Sequence, residues 1–241
     1  VNLDNALIDE LTAKVNFSRM EDDFSTYEDE LRTYVMSKAD QIAQLAPPPP
    51  VFNGKIQAYG RRVLSCMGSK LGSMEILVAR WAAGVRCAPH DHSGGKGWVF
   101  LLDGNFIERQ WQIRDGKFVC LDENPKPIPQ GSFVRVKPQD LHSMECDRDG
   151  ISVHFYLASK RWQQDSWFQG GGVDSMMVVD LETNTIYQMK NGAPMNRGGA
   201  WSYIDQEYVA YPFTLDNLPA RYKLVWSGND RSGQVAEDTS R

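Results

Sequence analysis

The sequence predicts a mainly β fold, an antiparallel barrel or sandwich preceded by a helical leader. Three observations carry this. Short runs rich in β-branched and aromatic residues recur between residues 73 and 157. The turn dipeptides Asp103-Gly104 and Asp115-Gly116 separate successive runs and predict consecutive hairpins. A four-proline run, Pro47 to Pro50, divides these segments from an N-terminal stretch with helical spacing.

In the leader, apolar residues at Phe24, Tyr27, Leu31, Tyr34, Val35, Ile42 and Leu45 follow the three-and-four spacing of one helix face, which predicts a single helix over 22–45. A weaker pattern over 4–15 predicts another. The prolines stop the second helix, so residues 1–50 are read as a leader packing on the barrel. Strands are expected at 73–81, 97–102, 105–113, 117–121, 132–136 and 151–157, within a barrel of residues 51–160 that holds the functional site. Residues 161–226 form an extension of the same domain, with turns at Gly170 to Gly172, Asn191-Gly192 and Gly198-Gly199. Its strands are expected at 176–181 and 185–189, with tryptophans at 162, 167 and 201, as further strands, a lid or a dimer contact. The polar, aromatic-free residues 227–241 read as a frayed tail.

Composition narrows the function. A chain of 241 residues can bury a sizeable core. A net charge of -5 supplies no basic stripe for a phosphate backbone, which argues against nucleic acid and leaves small molecules as the expected partners. No apolar run approaches a bilayer span, and the first residues lack a secretory layout, so a soluble cytoplasmic protein is expected with no membrane partner. The four cysteines, Cys66, Cys87, Cys120 and Cys146, are too scattered for a disulfide scaffold and contain no CxxC. They read as reduced residues that pack as small hydrophobes.

All four histidines fall between residues 90 and 154. His90 and His92, two apart on a strand, face the same way, while Asp91 points aside. The segment reads Gly84, five residues, His90-x-His92, four residues, Gly97, six residues, Gly104. This resembles the first cupin motif, with glycine where many cupins carry a ligating glutamate. Pro138-x-Asp140-x-His142 resembles the second motif and offers a third ligand. Asp91, Glu108 and Glu145 are the carboxylates at hand, but Asp91 has the wrong parity and Glu108 lies beyond the Gly104 turn, so three neutral imidazoles are expected to hold a divalent ion. Alternation in Ser152-Val153-His154-Phe155-Tyr156 places Ser152, His154 and Tyr156 on one inward face, where a hydrogen-bonded row satisfies their polar atoms.

An HxH pair, a third histidine and then SxHxY together resemble the thiol dioxygenases of the cupin superfamily, above all the cysteine dioxygenases. Upstream, Tyr59-Gly60-Arg61 resembles that family's Tyr-x-Arg element, and Trp81 fits the strand that leads into the ligands. The resemblance spans roughly residues 55–160. It implies a cupin-type jelly-roll barrel with iron(II) on His90, His92 and His142. It further implies Arg61 on the substrate carboxylate, Tyr59 near its amine, and Tyr156 at bound oxygen, positioned by His154 and Ser152. Where mammalian members carry a cysteine crosslinked to the catalytic tyrosine this chain has Gly97, so no crosslink is expected.

The implied reaction adds both atoms of dioxygen to the sulfur of a small carboxylated thiol, L-cysteine first. 3-Mercaptopropionate or a larger thiol is the alternative, since members acting on 3-mercaptopropionate tend to carry glutamine at the Arg61 position. A non-catalytic metal-binding cupin and a zinc hydrolase are the competing classes. The latter leaves Tyr156 and Arg61 without work.

Overall fold

The computed structural model describes residues 3–49, 51–52, 55–67, 74–92, 96–114, 117–137, 140–157, 177–181, 185–189, 200–201 and 208–212. The leader contains four helices, α1 (Leu3–Lys14), α2 (Phe17–Asp22), α3 (Phe24–Ser37) and α4 (Ala39–Leu45). The strands are β1 (Val51–Phe52), β2 (Lys55–Ile56), β3 (Tyr59–Met67), β4 (Met74–Trp81), β5 (Lys96–Asp103), β6 (Phe106–Arg114), β7 (Lys117–Cys120), β8 (Phe133–Val136), β9 (Leu141–Cys146) and β10 (Gly150–Leu157). The later segment adds β11 (Met177–Asp180), β12 (Thr185–Met189), β13 (Ala200–Trp201) and β14 (Tyr208–Pro212).

The single helix expected over 22–45 is two helices broken at Lys38. The Lys38 amide donates back to Val35 O at 3.1 Å, tightening the last turn of α3. The break turns α4 onto the barrel, where Arg80 of β4 donates to Ala43 O at 2.6 Å and Ala46 O at 3.2 Å. These bonds tie the end of α4 to the barrel, Ala43 O accepting from Arg80 as well as from the capping Ala46 amide. The helix α2 was not foreseen; Asn16 caps it by accepting from the Arg19 amide at 3.0 Å.

Two antiparallel sheets make the barrel, a cupin-type double-stranded β-helix. One runs β13-β3-β4-β10-β5-β8 and the other β7-β6-β9. Residues 84–90 line the edge of β9 through backbone bonds Gly84 N to Cys146 O, Cys87 N to Met144 O, and a reciprocal pair between His90 and His142. On the far side, Val179 N of β11 donates to Pro89 O at 2.8 Å, so the β11-β12-β14 sheet continues from the segment that leads into His90.

Strands of the larger sheet are apolar on both faces because the leader covers one of them. Ile76, Val78, Trp98, Phe100, Val153 and Phe155 face outward and pack against Leu11, Met20, Leu31, Val35 and Ile42. Ala79, Trp81, Val99 and Leu101 face the barrel interior with Phe106, Val136 and Met144. Each large apolar side chain among these contributes about 1.5–3 kcal/mol when buried, so the leader is an integral part of the fold.

The Asp103-Gly104 turn is not the hairpin expected. β5 pairs with β8 and β10, whereas β6 pairs with β7 and β9. Gly104, at φ 92°, makes a corner that carries the chain from one sheet to the other. Asp147 holds that corner by accepting from the Asn105 amide at 3.0 Å and from Asn105 Nδ2 at 2.8 Å. β6 and β7 do pair, Arg114 opposite Lys117; Asp115-Gly116 between them lies outside the described residues. So do Trp162, Trp167, the three predicted turns after residue 161 and the 227–241 tail. Among the described residues no helix is long and apolar enough to cross a membrane.

Candidate metal centre

His90, His92 and His142 come together, their candidate ligand atoms all within 4.8 Å of one another and their ring centroids 4.9–5.1 Å apart. His142 sits on β9. His90 and His92 are not on a strand as expected: His90 makes one isolated bridge to His142, and His92 follows it in irregular backbone. The rings still converge, because the reciprocal backbone pair fixes His90 directly against the third ligand. Asp91 between them is fully buried and outside the cluster, and Glu145 is occupied elsewhere by Arg86 and Arg109 at 3.1 and 3.2 Å. Asp140 accepts from the Lys137 amide at 2.8 Å; Pro138 lies outside the described residues.

The donor set fits a divalent ion. His90 Nδ1 lies 2.9 Å from Ala88 O, and a carbonyl only accepts, so this nitrogen carries the proton. His142 Nδ1 lies 2.6 Å from Glu108 Oε1 and likewise donates. Both histidines therefore turn Nε2 toward the cluster, and His142 Nε2 lies 2.9 Å from His92 Nε2. Two nitrogens at that separation need an electrophile between them or a proton shared along the line. Burial, with His142 nearby, pushes the His90 imidazole down to about 3. Burial, with His90 and His142, holds His92 well below its ordinary value. Neutral imidazole is the form that ligates.

Four further strands, β3, β4, β5 and β10, close the site. Tyr59 and Arg61 of β3, two residues apart, line the same cleft as the histidines, along with Leu77, Trp81, Val99, Met144, His154 and Tyr156. The cleft spans about 370 Å³ including its mouth. Gly60 between them lets the leader pass: a Cβ there would meet Pro48 O at 2.2 Å. Arg62 points the other way, into an ion pair with Asp4 of α1 at 3.5 Å.

β10 presents Ser152, His154 and Tyr156 inward, as alternation predicts, and they form a bonded row. Trp81 Nε1 donates to Ser152 Oγ at 2.7 Å, Ser152 Oγ lies 2.7 Å from His154 Nε2, and His154 Nδ1 lies 2.8 Å from the Tyr156 hydroxyl. The indole can only donate, so Ser152 Oγ accepts from Trp81; its second lone pair and its proton leave the direction of the contacts with His154 and Tyr156 to the His154 tautomer. Burial, assisted by Arg61, pushes His154 down to about 3, and burial, with Tyr59, pushes Tyr156 well up, so both stay neutral. The Tyr156 ring lies 4.8 Å from the His92 ring. Opposite Tyr156 is Gly97, where a Cβ would come within 2.3 Å of Tyr156 Cδ1. The missing side chain is the room the phenol occupies.

The three described cysteines are free. Cys87 lies in the irregular segment before His90. It packs in the barrel core with its Sγ 3.9 Å from His90 Nδ1, and burial pushes its thiol up to about 12. A thiol so hard to ionise is a packing group. Glu108 was excluded by its position beyond Gly104, yet the corner returns β6 across the interior and sets Glu108 on His142. Trp81, anticipated only as a strand residue, anchors the Ser152 row.

Neither protein-family models nor curated proteins match the sequence. Among solved structures the chain is similar to a cupin superfamily protein from Desulfitobacterium hafniense, at 10% identity over 44% of this chain and 83% of that one, TM-score 0.33. It is also similar to an uncharacterized conserved protein with a double-stranded beta-helix domain from Klebsiella pneumoniae, at 18% identity over 48% and 84%, TM-score 0.31. A third is the DMSP lyase DddQ from Ruegeria pomeroyi, at 16% identity over 46% and 52%, TM-score 0.34, of which this chain spans about half. At these scores the similarities say nothing of activity. The cupin-type architecture stands on the strand order and register above, and the metal centre on its own geometry.

Proposed function

We propose that this protein is an iron(II)-dependent thiol dioxygenase that adds both atoms of dioxygen to the sulfur of a small carboxylated thiol, with L-cysteine as the first substrate. The observation that carries the reading is the facing of unlike groups across one cleft: three imidazoles, the Arg61 guanidinium, and the Tyr156 phenol at the end of the Trp81–Ser152–His154 row. His90, His92 and His142 would hold the ion, whose chemistry when bound is Lewis-acid activation of a thiol and redox access to dioxygen. Arg61 binds the substrate carboxylate, because its planar fork matches two oxygens at once. Tyr59, two residues away on the same wall, faces the substrate amine. Tyr156 donates a hydrogen bond toward the reacting oxygen, and His154 and Ser152 hold it in that orientation. Leu77, Val99, Trp81 and Met144 keep the rest of the cleft apolar and limit water.

The balance is simple: one thiol and one dioxygen give one sulfinic acid, with no external reductant. The test is oxygen consumption by the iron-loaded protein against a panel of thiols with and without a carboxylate, with product identified by mass spectrometry. Stoichiometric sulfinate from cysteine is expected. Oxygen-independent hydrolysis supported by zinc alone, or metal binding with no uptake on any thiol of the panel, would refute the reading.

A further inference from the structure

We propose that Glu108 is a positioning residue of the metal centre, whose carboxylate fixes the His142 ring and strengthens that imidazole as a donor to a divalent ion. The inference rests on the three-histidine site being a metal site and not on the identity of the thiol.

The geometry is specific. In the register of β6 with β9, Gln110 lies opposite His142 and Glu108 opposite Met144, so Glu108 and Gln110 share the inward face with the ligand. Glu108 Oε1 lies 2.6 Å from His142 Nδ1, with 2% of the histidine side chain and 16% of the glutamate exposed. Gln110 Nε2 donates to the same Oε1 at 3.0 Å, which aims the carboxylate at the ring. A carboxylate has only lone pairs to offer, so the proton of this contact sits on Nδ1, which leaves Nε2, facing His92, as the nitrogen available to an ion. His90 makes the corresponding contact to a neutral acceptor, Ala88 O. The ligands are therefore unequal: a nearby negative charge stabilises positive charge building on His142 as it donates to a metal, and partly offsets the charge that the ion brings into a buried site.

A Glu-His pair serving only to pack β6 on β9 is the competing explanation, and charge separates the two. Glu108→Gln keeps an oxygen that accepts from Nδ1 and removes the charge, whereas Glu108→Asp keeps the charge and shortens the reach. The measurement is ferrous-ion affinity of the metal-free protein, by anaerobic competition with a chromophoric chelator, beside the urea midpoint of each apo variant. Glu108→Gln is expected to lose about 10- to 100-fold in affinity, with an apo midpoint close to wild type. Glu108→Asp should recover part of that loss, and the ferric/ferrous midpoint potential of the Gln variant should move positive. A Gln variant that binds ferrous ion as tightly as wild type, or an ordering in which Gln is the milder change, would overturn the inference alone. If the Gln variant does not fold, an Asp variant that binds no more weakly than wild type and leaves the potential unchanged overturns it too. Wild-type protein that binds no divalent ion would overturn it together with the metal site.

Discussion

Acidifying the metal-free protein should destabilise it through histidines that the fold keeps neutral, and His154 isolates one of them. Burial, with Arg61 adding to it, pushes this imidazole down to about 3, against about 6.5 in an unfolded chain. Above about 6.5 neither state binds the proton, and the residue is indifferent to pH. Below that value the unfolded chain takes up a proton that the folded chain refuses, so stability falls steadily until pH approaches the folded value. Each pH unit in this window costs about 1.4 kcal/mol, which makes the loss about 2 kcal/mol between about pH 7 and about pH 5. His154 is 7% exposed, so solvent screening does little to reduce it. The assay is urea unfolding of the apo protein at both pH values, for wild type and for His154→Gln, which does not titrate. His90 and His92 depress wild type and variant alike, so the difference of differences reports His154. A value near 2 kcal/mol is expected, with the variant less sensitive to acid. Equal acid sensitivity in the two proteins would show that His154 is not held neutral by burial.

Arg61→Gln should lower kcat/KM for cysteine by the worth of a charge-assisted contact, about 1.5–3 kcal/mol or roughly 10- to 150-fold, and should spare a thiol without a carboxylate. Unchanged turnover of cysteine would contradict the assignment. Tyr156→Phe should bind ferrous ion as wild type does but slow turnover or separate oxygen uptake from sulfinate formation; full coupled activity would remove the phenol from the mechanism. Gly97→Ala should lose about 1–3 kcal/mol of stability, because the new methyl overlaps the Tyr156 ring. Unfolding midpoints check this, and a neutral result would mean that the phenol has room to retreat.

Some of the fold was legible because parity survives in it. In β10 the polar Ser152, His154 and Tyr156 alternate with Ile151, Val153 and Phe155, and the structure turns the first set inward, His154 and Tyr156 lining the cleft, and the second toward the leader. β9 was not read as a strand, and its outer face shows why. Ser143, buried, accepts from Trp111 Nε1 at 2.9 Å, and the half-buried Glu145 is paired with Arg86 and Arg109, so polar residues stand where a hydrophobic pattern would be expected. β3 hid for a different reason: a register shift between Val63 and Ser65 interrupts its period of two, and the adjacent Arg61 and Arg62 put charge on both of its faces. β13 and β14 also escaped, while β11 and β12 fell where the spacing put them.

The candidate site divides along the same line. His90, His92 and the Ser152 row were legible because close sequence spacing brings them together, and His142 because its motif survives around it. Glu108 depends on a register between segments 34 residues apart, which no local pattern encodes. Its omission traces to one turn. Read as a hairpin, Asp103-Gly104 lays β6 beside β5 in the larger sheet and takes Glu108 away from the ligands. Gly104 instead turns the chain across the barrel, and Asp147 clamps the corner. β6 then pairs with β9, and a side chain excluded for lying past the turn becomes the partner of the third ligand. A glycine dipeptide specifies that the chain reverses, not which sheet it reverses into. That choice is made by tertiary contacts, and in this protein it decides whether the metal centre has a carboxylate behind it.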